Sequence, residues 1–299
     1  GGADIVGTIP MKSYLEEHGI QCLLGGLPWE RYSIDPYPGP RSFDEIQKKK
    51  KFNESICFIN NKTITKDGLQ FSETKLANFV KNKIIFINIF NSIRQIAADL
   101  NEFIKDQEID YVVGVDVGGD VLAIGDEEGL ASPLADSIML NVLKILEAKC
   151  LTHLGVLGYG SDGELKINEI NKCMAIASSK KGLVGSVGLS VDAYKAMKKI
   201  IKKVETDASR IPLLSFEGSY GNHPIRRGRI QVEVHPMSQI TFLFKPTVVF
   251  KNLSKPSQLI SKSKSFYESN EILLTNSISS EFNYEVRKHM EATSLKNKE

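Results

Sequence analysis

The sequence predicts an α/β fold built on a mainly parallel sheet, and three observations carry that prediction. Short apolar segments alternate with longer amphipathic ones along the chain as far as about residue 204. The apolar segments are nearly continuous, as strands are when helices cover both faces. The composition is that of a globular protein: 299 residues, 41% hydrophobic and 25% charged, enough apolar side chain to bury a sizeable core.

The elements follow in order. The chain opens Gly1-Gly2-Ala3-Asp4-Ile5-Val6-Gly7. A glycine pair of this kind follows a strand and lets the backbone turn sharply, so the expected first strand lies ahead of residue 1. A helix is predicted over 8–18, stopped by Gly19. Strands are predicted over 20–24, 56–60, 84–89, 110–115 and 152–157, and helices over 73–81, 91–105, 133–149, 167–177 and 190–204. The helix at 133–149 is the clearest. Ser132 is placed to cap it, Pro133 suits its first position, and Leu134, Ile138, Val142 and Leu146 form one stripe.

Beyond residue 210 the pattern changes. Residues 211–216, 230–234, 240–244 and 247–250 read as short strands, a small antiparallel addition near 211–250 at the sheet edge. Weak helices follow near 256–264 and 281–290. The expectation is a Rossmann-like three-layer α/β ligand-binding domain over 1–250, with a helical C-terminal extension and tail over 251–299.

Charge and cysteine usage exclude several function classes. Thirty-eight Lys and Arg against 36 Asp and Glu leave a net charge of +2, which argues against a nucleic-acid coat or a polybasic membrane binder. No apolar run is long enough to span a bilayer. Cys22, Cys57, Cys150 and Cys173 lack zinc-ligand spacing and read as reduced, structural residues, so the expected compartment is cytoplasmic.

The unusual residues gather after strand ends. Gly25-Gly26-Leu27-Pro28-Trp29-Glu30-Arg31 leads into Asp35-Pro36-Tyr37-Pro38-Gly39-Pro40-Arg41; Asp116-Val117-Gly118-Gly119-Asp120 and Gly158-Tyr159-Gly160-Ser161-Asp162-Gly163-Glu164 follow two later strands. Ligands of open α/β sheets bind outside the carboxyl ends of the strands, which makes that edge the candidate site. Residues 110–170 hold eleven acids and three lysines, a local charge of −8 hidden in the near-neutral total. Asp116, Asp120, Asp162 and Glu164 are the candidate catalytic carboxylates, with Asp116, Asp120 and Asp162 as metal ligands. Clustered carboxylates suit Mg²⁺ or another divalent cation, and they would equally suit a substrate amine or acid–base chemistry. The plainer reading is a solvated acidic rim whose aspartates cap turns.

Gly1, Gly2, Gly118, Gly119 and Gly160 are candidates for close backbone approach to a ligand, and Asp4, Gly163, Trp29, Glu30, Arg31 and Arg41 complete the candidate ligand-binding set. Trp29 can stack on a flat ligand or pack as core, and the two arginines can bind an anion or pair with nearby acids. Gly158, Gly160 and Gly163 spell G-x-G-x-x-G, but Asp162 and Glu164 would repel a pyrophosphate there, so the pattern does not point to NAD. The arginines at 226–229 read as an exposed hairpin or as a counter-charge closing over the acids.

Together, GGADIVGTIP, GGLPWERYSIDPYPGPR, GVDVGGDVLAIGDEEGLASPLADS and GYGSDGEL resemble the archaeal and bacterial family known as domain of unknown function 1152, over most of residues 1–235. The resemblance implies a cytoplasmic protein of about this length and carries no activity with it. The residues themselves favour an enzyme binding a small polar, nucleotide or phosphate-bearing metabolite with a divalent cation. The alternatives are a non-catalytic metabolite-binding or regulatory protein and, more weakly, an RNA-binding protein resting on Lys48–Lys51 and Arg226–Arg229. A homo-oligomer is left open; no membrane partner is expected.

Overall fold

A computed structural model describes residues 2–296. A 3-10 helix, Gly2–Thr8, runs directly into α1 (Ile9–Glu17), where Pro10 fits the first turn without a lost hydrogen bond. Then come β1 (Leu24–Gly26), the short strands β2 (Ile46–Gln47) and β3 (Lys50–Lys51), β4 (Ile56–Ile59), β5 (Ile64–Thr65), α2 (Ser72–Leu76), β6 (Ile84–Ile87) and α3 (Ile93–Asp106). The second half contains β7 (Tyr111–Val117), α4 (Pro133–Leu146), β8 (Leu151–Leu157), α5 (Ile167–Ser179), β9 (Leu183–Gly188) and α6 (Val191–Ile200). It continues through α7 (Ile211–Phe216), β10 (Gly221–Ile225), β11 (Ile230–Val234) and β12 (Ile240–Phe244). Four helices end the described chain: α8 (Pro246–Asn252), α9 (Lys255–Leu259), α10 (Phe266–Thr275) and α11 (Glu281–Lys296).

The fold is mixed α/β with open sheets. One four-stranded sheet has the order β1-β6-β4-β3 and the other β7-β8-β12-β9. Parallel pairing joins β1 to β6 and β7 to β8; the remaining pairs are antiparallel, so the sheet content is less parallel than the alternation predicted. The excess comes from strands the sequence reading did not anticipate, such as β9, and from the meander between β1 and β6. β12 does not extend an edge: it sits between β8 and β9.

Two predicted strands are helices. Residues 211–216 form α7 and residues 247–250 lie inside α8. In each a proline within the first two positions, Pro212 or Pro246, presets helical φ, and burial of Ile211, Leu213 and Val249 overrides the local β preference.

Alternation along β6 shows how helices cover both faces. Ile84 and Phe86 face a cluster with Ile9 of α1 and Met197 of α6, whereas Ile85 faces one with Phe103 of α3 and Ile138 of α4. The C-terminal helices contribute Phe266 and Leu273 to that second cluster, so residues beyond 250 share its core. Glu281 of α11 also caps α4, accepting from Leu134 N–H at 3.0 Å and Ala135 N–H at 2.8 Å. Ser132 stands at the cap position, but its hydroxyl donates elsewhere. All four cysteines are free, and no described helix is long and apolar enough to cross a membrane.

Candidate functional site

The 3-10 helix Gly2–Thr8 packs against both β1 and β7, so the carboxyl ends of the two strands lie beside one segment. Gly7 makes this approach close: a Cβ there would lie 2.2 Å from Val117 Cγ2 at the end of β7.

At that end Asp116 is the penultimate strand residue, followed by Gly118 and Gly119, both at positive φ (141° and 118°). These φ values are open to glycine and strained for other residues. The double turn throws Asp120 back over the strand end, onto a 3-10 helix, Asp120–Leu122. Asp136 comes from the first turn of α4. One carboxylate oxygen from each of Asp116, Asp120 and Asp136 lies within 4.8 Å of the others, as does one from each of Asp120, Asp162 and Glu164. Asp120 therefore joins two trios, and the predicted metal set of Asp116, Asp120 and Asp162 is divided between them.

The electrostatics follow from burial. Asp116 and Asp120 are each 5% exposed. Burial first, and then neighbouring Asp136, hold both carboxyls well above the usual range. Burial and Glu164 push Asp162 up to about 8, and Asp136, half-buried, is raised to about 6, chiefly by desolvation. Asp116 Oδ2 is buried without a hydrogen-bond partner among the described residues. An anionic oxygen in that position costs several kcal/mol unless a proton or a cation joins it.

Glu164 has a different task. It accepts from Ala131 N–H at 2.8 Å, Ser132 N–H at 2.9 Å and Ser132 Oγ at 2.5 Å, and Arg226 Nη2 approaches at 3.4 Å. It thus binds the start of α4 to the Asp162 loop. The arginine hairpin does reach the acids, through Arg226 alone.

The loop glycines divide by environment. Gly118 lies against Asp162 and Gly119 against Val156 and Ile170. Gly160 donates its N–H to the Gly118 carbonyl at 2.6 Å, and Gly163 is sealed under Ile230 and Val232 of the β10–β11 hairpin. Gly160 and Gly163 serve the turn; Gly118 and Gly119 shape the acid pocket. Asp4 is half-buried, and its charge acts on Asp116, Asp136 and Asp162. Gly2 begins the first 3-10 helix; Gly1 lies outside the described residues.

A further carboxyl pair, Glu30 and Glu73, stands at the end of β1. Glu30 accepts from Ser72 N–H through Oε1, while its buried Oε2 has no partner among the described residues. Burial and the charge of Glu30 raise Glu73 well above its usual range. Trp29 belongs to the core, with Nε1–H donating to Glu285 at 2.9 Å and its ring edge-on to Phe266. Arg41 is held by Asp35 at 2.7 and 2.8 Å, Glu45 at 2.9 Å and Asp67 at 3.0 Å. Arg31 is half-buried.

Sequence reasoning missed Asp136 and Glu73. Both sit in the first turns of helices, where an acid is ordinary. An available clue was the position of Asp136 three residues after Pro133, in the helix that follows the DVGGD loop.

Fold and site together describe a mixed α/β protein with buried acids at a sheet edge. The chain belongs to the family described as "Protein of unknown function (DUF1152)", whose model matches residues 1–289. No curated protein and no solved structure matches it.

Proposed function

We propose that this protein is an enzyme that binds a small polar metabolite, nucleotide or phosphate-bearing, with a divalent cation at the carboxyl edge of a Rossmann-like three-layer fold. One observation carries the reading: Asp116, whose buried Oδ2 has no hydrogen-bond partner among the described residues, has its carboxylate in the trio with Asp120 and Asp136. Oxygen-only donors suit Mg²⁺, which keeps part of its coordination for water and substrate oxygens. Asp116, Asp120 and Asp136 would hold the ion, and the ion would draw an anionic substrate to an edge that otherwise repels it. Asp162, whose carboxyl is raised by burial and by Glu164, is the candidate acid–base group beside the ion. Gly118 lacks the Cβ that would displace the Asp162 carboxylate, and so lets that acid stand at the edge of the pocket.

Titration calorimetry with Mg²⁺ and Mn²⁺ tests the cation. Binding by the intact chain that weakens at least tenfold in Asp116→Asn supports the site; heats unchanged by Asp116→Asn overturn it. Incubation with a metabolite pool, followed by mass spectrometry, tests catalysis. Consumption of one compound supports an enzyme, whereas retention of an unchanged ligand points to a sensor at the same edge.

A further inference from the structure

We propose that the cleft between β1 and β7 seats one more parallel β-strand, an apolar stretch joined to the amino end of this chain. The cleft has a volume of about 1370 Å³ and follows the strands along their length, from Cys22 and Asp110 at the amino ends to Gly26 and Asp116 at the carboxyl ends. Its two walls are strand edges. Among the described residues β1 pairs only with β6 and β7 only with β8, each in parallel. An unpaired edge offers a row of N–H and C=O groups, and here two such rows border one cavity.

Burial along β7 agrees. Its first five residues, Tyr111–Val115, are only half-buried, although Val112, Val113 and Val115 are apolar; most of neighbouring β8 is buried. A strand in mid-sheet should be covered on both sides, and β7 is covered on one. Helices close the cleft above and below: Phe103 of α3 and Leu143 of α4 line it, and α3 packs directly on α4, while Met11 and Leu15 line it from the α1 side. An occupant therefore meets apolar surface on both faces, which selects a continuous Val/Ile/Leu run. At about 3.3 Å per residue, a strand of roughly seven residues matches the length of β7.

Direction and connection follow from the first 3-10 helix. Gly2–Thr8 packs on both β1 and β7, so a strand parallel to both hands the chain over to Gly2 at the mouth of the cleft. It then forms a βαβ unit with α1 and β1. Counting only the parallel strands and numbering this one first gives the order β6-β1-new-β7-β8, which is 3-2-1-4-5, as in the first five strands of dinucleotide-binding α/β sheets; the antiparallel β4 and β3 lie beyond β6, and β12 and β9 beyond β8. The reversal falls between the new strand and β7, beside Asp4 and Asp116, where such sheets place their ligands. The inference stands on the cleft and does not depend on the cation.

The test extends the full chain at Gly1 by seven residues, apolar in one version and with prolines at alternate positions in the other. Proline cannot donate to either edge. The apolar extension is expected to slow amide exchange at residues 24–26 and 111–115 at least tenfold, and the proline version is not. A second readout works even where the unextended chain folds poorly: a cysteine in the middle of the apolar extension should cross-link to Val113→Cys, and one in the proline version should not. Equal protection by both extensions, or no protection and no cross-link, overturns the proposal. So does protection of the same amides in the unextended chain through dimerisation, which would make a second copy the occupant. Protection by the apolar peptide only when added separately overturns the covalent connection.

Discussion

The carboxylate of Asp162 lies against the backbone of Gly118: a Cβ built on Gly118 would stand 2.0 Å from Asp162 Oδ2. Two strand-end loops, distant in sequence, are locked together by the absence of one carbon atom. Gly118 also has φ +141°, which an L side chain rarely adopts. Gly118→Ala should therefore destabilise the protein by about 2–4 kcal/mol in urea unfolding, the sum of overpacking and backbone strain. Any cation response should fall with it. A loss under about 0.5 kcal/mol would show that the loops are not locked in this way.

Asp136→Asn should separate stability from function. The Asp136 charge raises the carboxyls of Asp116 and Asp120, so its removal relieves buried repulsion. At pH 8 without added cation the variant is expected to be more stable by about 1 kcal/mol. In the presence of Mg²⁺ it should gain less in Tm than the parent, because a ligand is lost. Differential scanning calorimetry with and without Mg²⁺ checks both directions.

Glu285 supplies a pH dependence of known sign. Burial pushes its carboxyl from 4.5 up to about 7, although Gly39 N–H and Trp29 Nε1–H donate to it. Between those values the folded chain keeps a proton that the unfolded chain has released. Its contribution to stability is complete below pH 4.5 and is lost as pH rises through 7. Glu285→Gln should flatten the stability profile between pH 5 and 8, removing a slope worth up to about 3 kcal/mol. Urea titrations at several pH values measure it.

Arg41 is expected to matter for folding. Its guanidinium forks onto Asp35, which is 1% exposed. Arg41→Ala strands that carboxylate in the interior and should cost about 3–5 kcal/mol, whereas Asp67→Ala, an exposed partner, should cost less than about 1 kcal/mol. Comparable losses from the two variants in thermal unfolding would refute this ranking.

Much of the site was legible because its residues follow strands. Asp116 stands near the end of β7 and Asp120, Asp162 and Glu164 in the glycine-punctuated loops after β7 and β8, and parallel pairing of those strands places their ends together. Trp29 and Arg41 were ambiguous for a physical reason. A side chain that can bind a ligand can also pack or pair internally, and only the presence of Phe266, Glu285 and Asp35 decides which. The strands predicted at 211–216 and 247–250 failed because apolar runs of that length fit either structure, and the helices they pack into chose.

The sequence by itself determined the α/β class, the family and the edge on which the acids gather, since periodicity and loop chemistry are local properties. The tertiary structure decided the partnerships: Asp136 and Glu73 joining from helices, Glu164 committed to the start of α4, and two sheet edges facing one cleft. Those depend on distances between segments far apart in the chain, which no local pattern encodes.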